Sequence, residues 1–478
     1  MSTVQELPDG RVTVDRADPR LQASPYCNAD LAPTTIGERH WNTYNYAALW
    51  VGMSHCIPSY LLASGLILAG MSWVQAVITI AIANLIVLVP MLLNGHAGTK
   101  YGIPFPVFAR SSLGVRGANI AAVMRALVAC CWFGIQTWIG GEGFFILLSK
   151  LVGGNWAKAH VVYGYPWTQW VCFAGFWIVE MLIIWRGMET LRRFENWAAP
   201  FVIAGAVALF VYLVVKAGGL GPIVHEGSNI GWGSKFWHLF FPSLMGMIGF
   251  WSTLSLNIPD FTRFGASQRK QMWGQALGLP TTMTAFALLA VLITSGAEVV
   301  YHQKIWDPIA LTGRLNNDAA LAVALAMIAV ATISVNVAAN TVSPSYDFSN
   351  LAPRLISFRT GGLITGFLGL VMCPWYWLST FGNYVFGWLV GYSGLLGPVA
   401  GIMVTDYFLV RHTRLDTYSL YRRGGMYEYR NGFNPVAILA LICGVVTALV
   451  GRFVHPLAFL YDYAWFVGFF LPALSTIC

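Results

Sequence analysis

From Tyr46 onward the chain alternates long apolar runs with short polar turns that carry Arg, Lys, Asn, Gly and Pro. A helix crossing a bilayer needs roughly 20 mainly apolar residues. Runs of that kind recur over 46–70, 74–93, 119–148, 166–185, 198–217, 236–258, 275–299, 318–342, 361–380, 383–409, 434–451 and 456–475. The pattern predicts an all-α membrane protein of twelve transmembrane helices, with both termini on one side. A membrane β-barrel would instead show segments of about ten residues with alternating polarity. Residues 1–45 contain no apolar core of the kind a signal peptide needs, so they read as a polar tail leading into an uncleaved first span. The chain ends at Cys478 directly after a span, which predicts a short further tail.

Composition agrees with this pattern. Hydrophobic residues make up 57% of the 478 and charged residues 10%, against about 25% charged in ordinary soluble domains. The net charge of +8 is read through its placement. With the N-terminus inside, the inner segments hold most of the Lys and Arg, including Arg110, Arg116, Arg186, Arg192, Arg193, Arg263, Arg354, Arg411 and Arg422. The outer segments hold Lys150, Lys158, Lys216, Lys235, Lys304, Arg314 and Arg452. By the positive-inside rule both termini are expected in the cytoplasm, in a plasma membrane or bacterial inner membrane. The charge is therefore a topology signal, and no nucleic-acid partner is expected. The eight cysteines form no CxxC or Cys/His cluster, so they read as small packing residues, with no metal site and no disulfide.

Helix breakers recur with a longer symmetry. The first span carries Gly52 and Pro58 in WVGMSHCIPSY, and the sixth carries Gly246, Gly249 and Pro259 in LMGMIGFWSTLSLNIPD. Gly and Pro are common in membrane helices, but interrupted segments at corresponding places in two halves point to a transporter with an inverted repeat and a midplane site. An interruption is thus expected in each span. The organisation predicted is a tail (1–45), a first five-helix repeat (46–217), a second, inverted one (236–409), and two additional helices (434–475).

Polar and aromatic side chains inside the spans suggest a ligand. Trp132 and Gln136 lie four apart in RALVACCWFGIQTWIGGEGFF, on one helix face. Asn336 and Asn340 do the same in AVATISVNVAANTVSP, and Trp251 with the Phe250 carbonyl sits beside the proposed break in span six. An isolated Gln is more often helix glue, and an isolated Trp more often packing. Together, two indoles suit the faces of a flat ring and carboxamides suit its polar edge. No Arg or Lys cluster converges there, which favours a neutral planar heterocycle over an anion.

These residues carry a resemblance to the nucleobase-cation-symport-1 family, which includes the bacterial hydantoin transporter and nucleobase and allantoin permeases. It extends over essentially the whole chain, through ERHWNTYNY, GTKYGIPFPVFARSSLGVRGA, WFGIQTWIGGE, LNIPDFTRF, NVAANTVSP and LLGPVAGIMVTDYFLV. The resemblance implies the leucine-transporter-type fold of five plus five helices with two more. It implies that Trp132 and Trp251 sandwich the substrate, that Gln136 and Asn340 bond its edge, and that the Phe250 carbonyl accepts from a ring N–H; Asn336 braces the helix. The family's sodium site would use Gly52, His55 and Ala331 carbonyls and two adjacent hydroxyls, which here read Ser334 and Val335. Valine offers no oxygen, so coupling to sodium or to protons stays open. Ionisable residues inside spans are functional suspects, and the proton candidates are Glu142, His55 and Asp260. Glu142 alternatively sits in an outer vestibule, His55 packs as a neutral ring, and Asp260 pairs with Arg263.

The expected function is a secondary active symporter, functioning as a monomer, that imports a nucleobase such as uracil, or allantoin or a hydantoin, with a cation (H+ or Na+) and no cofactor. A channel or a non-transporting receptor for the same ligands is the alternative. GxSxG, HExxH and Cys-metal spacings are absent from the sequence, which argues against a membrane enzyme, and no P-loop suggests ATP-driven transport.

Overall fold

The computed structural model describes residues 4–477 apart from Gly187, Glu226 and Asn316, and excludes the side chains of 188–199 and Ile477. The inner-side charges Arg192 and Arg193, and the terminal Cys478, lie outside the described residues. Among the described residues, eight helices are long and apolar enough to cross a membrane: Trp73–Tyr101, Ala118–Val152, Trp167–Arg186, Ser234–Asn257, Gln268–Tyr301, Asp318–Leu351, Asn383–Val410 and Pro435–Arg452. Two bent pairs, Thr43–Ser54 with Ile57–Leu68 and His455–Asp462 with Ala464–Thr476, are each long and apolar enough together to make one broken span, and the shorter apolar helices Pro200–Lys216 and Phe358–Val371 fall on the two remaining predicted runs. In chain order these are spans 1 to 12. Local chemistry sets their ends. Span 2 starts at Ser72, whose hydroxyl accepts the Gln75 N–H while the Gln75 side chain accepts the Ser72 N–H, a reciprocal capping box. It stops at Gly102, which turns the chain with φ 67°, a left-handed conformation that glycine adopts without steric cost.

Span 1 is interrupted as expected. Its first helix ends at Ser54, Cys56 is extended (φ −134°, ψ 161°), and the second helix starts at Ile57 with a 60° change of direction. Pro58 sits in the first turn of the new helix, where its missing N–H costs nothing.

Span 6 corrects the symmetric expectation. It runs unbroken from Ser234 to Asn257, straight through Gly246 and Gly249, and the chain restarts only at the one-turn helix Pro259–Thr262. The two glycines serve close packing against span 10. A Cβ at Gly246 would lie 2.6 Å from Val385 Cγ1, and one at Gly249 would lie 2.6 Å from the Leu389 carbonyl oxygen.

The first 45 residues are also more than a polar tail. Val4–Glu6 and Val12–Val14 form an antiparallel hairpin, and Val12, Val14, Leu21 and Leu31 are buried. Thr34 N–H donates to Gly102 O at 2.8 Å, Tyr421 O–H to Leu31 O at 2.8 Å, and Asn28 Nδ2 to Ser349 Oγ at 2.8 Å. Arg110, fully buried, donates to Leu420 O at 2.9 Å and Asn350 Oδ1 at 2.6 Å. Arg263 donates to the carbonyls of Asp30 and Ala32. These bonds gather the N-terminal segment and the turns after spans 2, 6, 8 and 10 into one cap, the arrangement that twelve alternating spans require.

Candidate substrate site

Trp132 and Gln136 of span 3, Phe250 and Trp251 of span 6, and Asn340 of span 8 line one cavity together with Met53, Cys56 and Pro58 from the break in span 1. Thr253, Leu254, Val335 and Ala339 complete it, and no lining side chain is charged. Spans 3 and 8 present their polar residues there because i and i+4 positions share a helix face. The Trp132 and Trp251 rings both meet Phe250 edge-on, with centroids 5.3 and 4.8 Å apart. Trp50 buttresses Trp251 at 5.1 Å. The free volume is about 30 Å³, room for a very few waters, between side chains that are themselves buried.

Two polar atoms of the lining residues stand out. Gln136 Oε1 and Trp251 Nε1 are buried with no hydrogen-bond partner. Buried polar groups almost always have one, so one acceptor and one donor are held ready for a ligand that supplies the complement. The Phe250 carbonyl remains inside a continuous helix, and its second lone pair accepts from the Tyr392 hydroxyl at 3.4 Å.

Asn336 stands behind Asn340, away from the cavity lining. Its Nδ2 donates to Phe133 O at 3.0 Å and Glu180 Oε1 at 2.9 Å, and its Oδ1 accepts from Asn340 Nδ2 at 2.9 Å. With one Asn340 N–H engaged in this way, the chain of amides fixes the orientation of that side chain. Glu180 of span 4 is completely buried and also lies 2.6 Å from Thr137 Oγ1.

The cation and proton candidates are dispersed. His55 closes the first helix of span 1, its Nδ1 2.6 Å from Val51 O and its ring 4.8 Å from Phe286. Gly52 precedes it on that helix. Ala331 lines a separate, mainly apolar cavity of about 590 Å³ that shares Cys56 with the first. Ser334 is buried on span 8, while its neighbour Val335 faces the Trp132 cavity. Asp260 Oδ1 accepts the Phe105 N–H at 2.7 Å, and its suggested partner Arg263 bonds the N-terminal segment instead. Glu142 is half-buried in the outer part of span 3 with Asp307 as its charged neighbour, and it does not line the Trp132 cavity.

Glu180 and Tyr392 went unnoticed in the sequence. Glu180 carried a signal, a lone carboxylate inside WTQWVCFAGFWIVEMLIIWR. Tyr392, in a glycine-rich run, carried none.

The family model for permeases for cytosine/purines, uracil, thiamine and allantoin matches residues 33–468. The chain is 41% identical to the allantoin permease of Bacillus subtilis, over 95% of this chain and 93% of that protein. It is 39% identical to the purine-uracil permease NCS1 of Arabidopsis thaliana, over 98% of this chain and 79% of that one. A solved nucleobase-cation-symport-1 family transporter, in a closed conformation with bromovinylhydantoin bound, superposes with TM-score 0.76 at 25% identity, covering 95% of this chain and 94% of that one. A Na+-coupled sialic acid symporter, 13% identical with TM-score 0.66 over 92% of this chain and 89% of that one, shares the fold, as the leucine-transporter-type architecture expected from the sequence requires. The chain belongs to the family of permeases for cytosine/purines, uracil, thiamine and allantoin, and is a membrane transporter, not an enzyme.

Proposed function

We propose that this permease is a proton-coupled symporter that imports a neutral planar ring bearing a urea or imide edge, such as uracil, allantoin or a hydantoin. The observation that carries this reading is the uncharged cavity between two indoles with Gln136 Oε1 and Trp251 Nε1 left unpartnered. A charged substrate would be left without a counter-ion there, which is costly in a dry interior. Relatives named as allantoin, uracil and hydantoin permeases support the substrate class. The Val335 side chain at the position of an expected sodium-ligating hydroxyl favours protons over sodium. Transport proceeds by alternating access around this site, in a monomer whose termini lie in the cytoplasm of a plasma or bacterial inner membrane.

The test is uptake of labelled uracil, allantoin and hydantoin into proteoliposomes with pH and sodium gradients imposed separately. Accumulation of at least one compound under the pH gradient alone is expected. Failure of all three to accumulate refutes the substrate class, and accumulation driven by sodium alone refutes proton coupling.

A further inference from the structure

Span 4 buries a carboxyl group that the substrate site does not use directly but touches through one intermediate side chain. Glu180 lies two-thirds of the way along Trp167–Arg186 and is fully enclosed. Phe176, Met181 and Ile184 of its own helix form one apolar cluster with Phe133, Ile333 and Val337 of spans 3 and 8. Its polar contacts are Thr137 Oγ1 at 2.6 Å and Asn336 Nδ2 at 2.9 Å.

The ionisable side chains on the spans packed against it are otherwise engaged or elsewhere. On span 3, Arg125 contacts Asp347 at 3.4 Å, Glu142 neighbours Asp307, Cys131 lies against Met372 O, and the partners of Glu180 include neither Cys130 nor Lys150. Arg359 at the start of span 9 lies over the Trp185 ring. Asp318 of span 8, Tyr212 and Lys216 of span 5, and Cys172 and Arg186 of span 4 itself make no bond to it either. Among the described residues no cation neutralises Glu180.

The proton count at Thr137 says more. Its hydroxyl has one hydrogen, yet it stands 2.7 Å from the Phe133 carbonyl and 2.6 Å from Glu180 Oε2, both acceptors when Glu180 is ionised. The two contacts are satisfied together if Thr137 donates to Phe133 and a protonated Glu180 donates to Thr137. Among the described residues an ionised carboxylate here would find neither a counter-ion nor a full set of donors, which the buried packing strongly disfavours.

We propose that Glu180 is the proton-binding group of this carrier, joined to the substrate cavity through Asn336 and Asn340. The inference rests on the proton-symport reading above. Asn336 Nδ2 donates to Glu180 Oε1 at 2.9 Å and Phe133 O at 3.0 Å, with Thr137 Oγ1 at 3.4 Å, and its oxygen accepts from Asn340, whose amide is thereby oriented beside the substrate cavity. Loss of the proton leaves the single Thr137 hydrogen facing two acceptors, Phe133 O and Glu180 Oε2, so deprotonation disturbs the packing behind Asn336 and Asn340. Opening to water on the opposite side lets the carboxyl release the proton. One proton bound from one side and released on the other accompanies each neutral substrate, so one positive charge crosses per cycle. Linkage makes the effect reciprocal: low pH tightens substrate binding, and substrate raises proton affinity.

The experiment compares the wild type, Glu180→Gln, Glu142→Gln and Thr137→Val in proteoliposomes, using whichever of uracil, allantoin or hydantoin the wild type accumulates. Accumulation under a pH gradient is measured beside exchange at equal pH on both sides. For Glu180→Gln, accumulation is expected to fall at least about tenfold and exchange to stay within about threefold and become flat between about pH 5.5 and 8. Glu142→Gln should behave as wild type, and Thr137→Val should accumulate with a displaced pH midpoint. Wild-type accumulation by Glu180→Gln overturns the assignment, as does loss confined to Glu142→Gln. If Glu180→Gln does not fold, an unmoved pH midpoint in Thr137→Val overturns it. A wild type that transports without regard to the pH gradient defeats the symport reading itself, a result separate from any variant.

Discussion

The Trp132 indole N–H donates to the Tyr392 hydroxyl at 3.2 Å, and that hydroxyl lies 3.4 Å from the Phe250 carbonyl. One phenol thus fixes a proposed clamp ring and occupies the carbonyl expected to read a ring N–H. Tyr392→Phe removes both bonds and keeps the ring. Losing one such bond is worth about 1 kcal/mol; the freed Phe250 carbonyl can take the substrate N–H in exchange for the Tyr392 hydroxyl, so the net loss is the bond that fixes Trp132, and the Kd should rise by roughly fivefold, read by tryptophan fluorescence on titration with the transported compound. An unaltered Kd would separate Tyr392 from recognition.

Gln136→Ala and Asn340→Ala each remove a carboxamide that lines the cavity, and Trp132→Ala removes a ring face. Each should weaken binding by at least about tenfold, in line with the roughly 1–3 kcal/mol lost when a buried polar partner disappears. Membrane insertion and gel-filtration behaviour should persist. Unchanged affinity in all three would move the site elsewhere.

Gly249→Ala places a methyl 2.6 Å from the Leu389 carbonyl and 3.1 Å from Ser393 Cβ. Neither is the tip of a flexible side chain, so spans 6 and 10 must separate, at about 1–3 kcal/mol as for other overpacked cores. The expected result is a lowered melting temperature in detergent together with weaker binding, since Phe250 and Trp251 follow directly. Wild-type melting would show that the contact relaxes freely.

Leu31→Ala tests the folded N-terminal segment. Leu31 is fully buried in the cap, and its carbonyl accepts from Tyr421. Truncating a buried leucine typically costs about 2–5 kcal/mol, so melting should fall clearly while substrate affinity in the remaining folded protein holds. A stable variant would show that the segment docks without supporting the helices.

The spans were legible because bilayer thickness imposes a run length that few other structures need, and the pairs Trp132/Gln136 and Asn336/Asn340 because helical spacing forces each onto a face. The glycines misled for a physical reason. Unwinding and close approach both select for a missing side chain, so Gly246 and Gly249 look the same in sequence whether the helix breaks or packs. The N-terminal cap was hidden because Val12, Val14, Leu21 and Leu31 are spaced singly among polar residues and have no periodicity to betray burial. Glu180 was visible as a lone acid in an apolar run, but its link to Asn340 passes through span 8 and exists only in three dimensions.

A cavity with about 30 Å³ to spare has a kinetic meaning. A heterocycle of the proposed class needs more room than that, so association is expected to require the surrounding side chains to move apart into an opened conformer. Observed affinity is then the intrinsic affinity reduced by the fraction of molecules open at any moment. Capture should level off at high substrate concentration, at a rate set by the protein and not by the encounter.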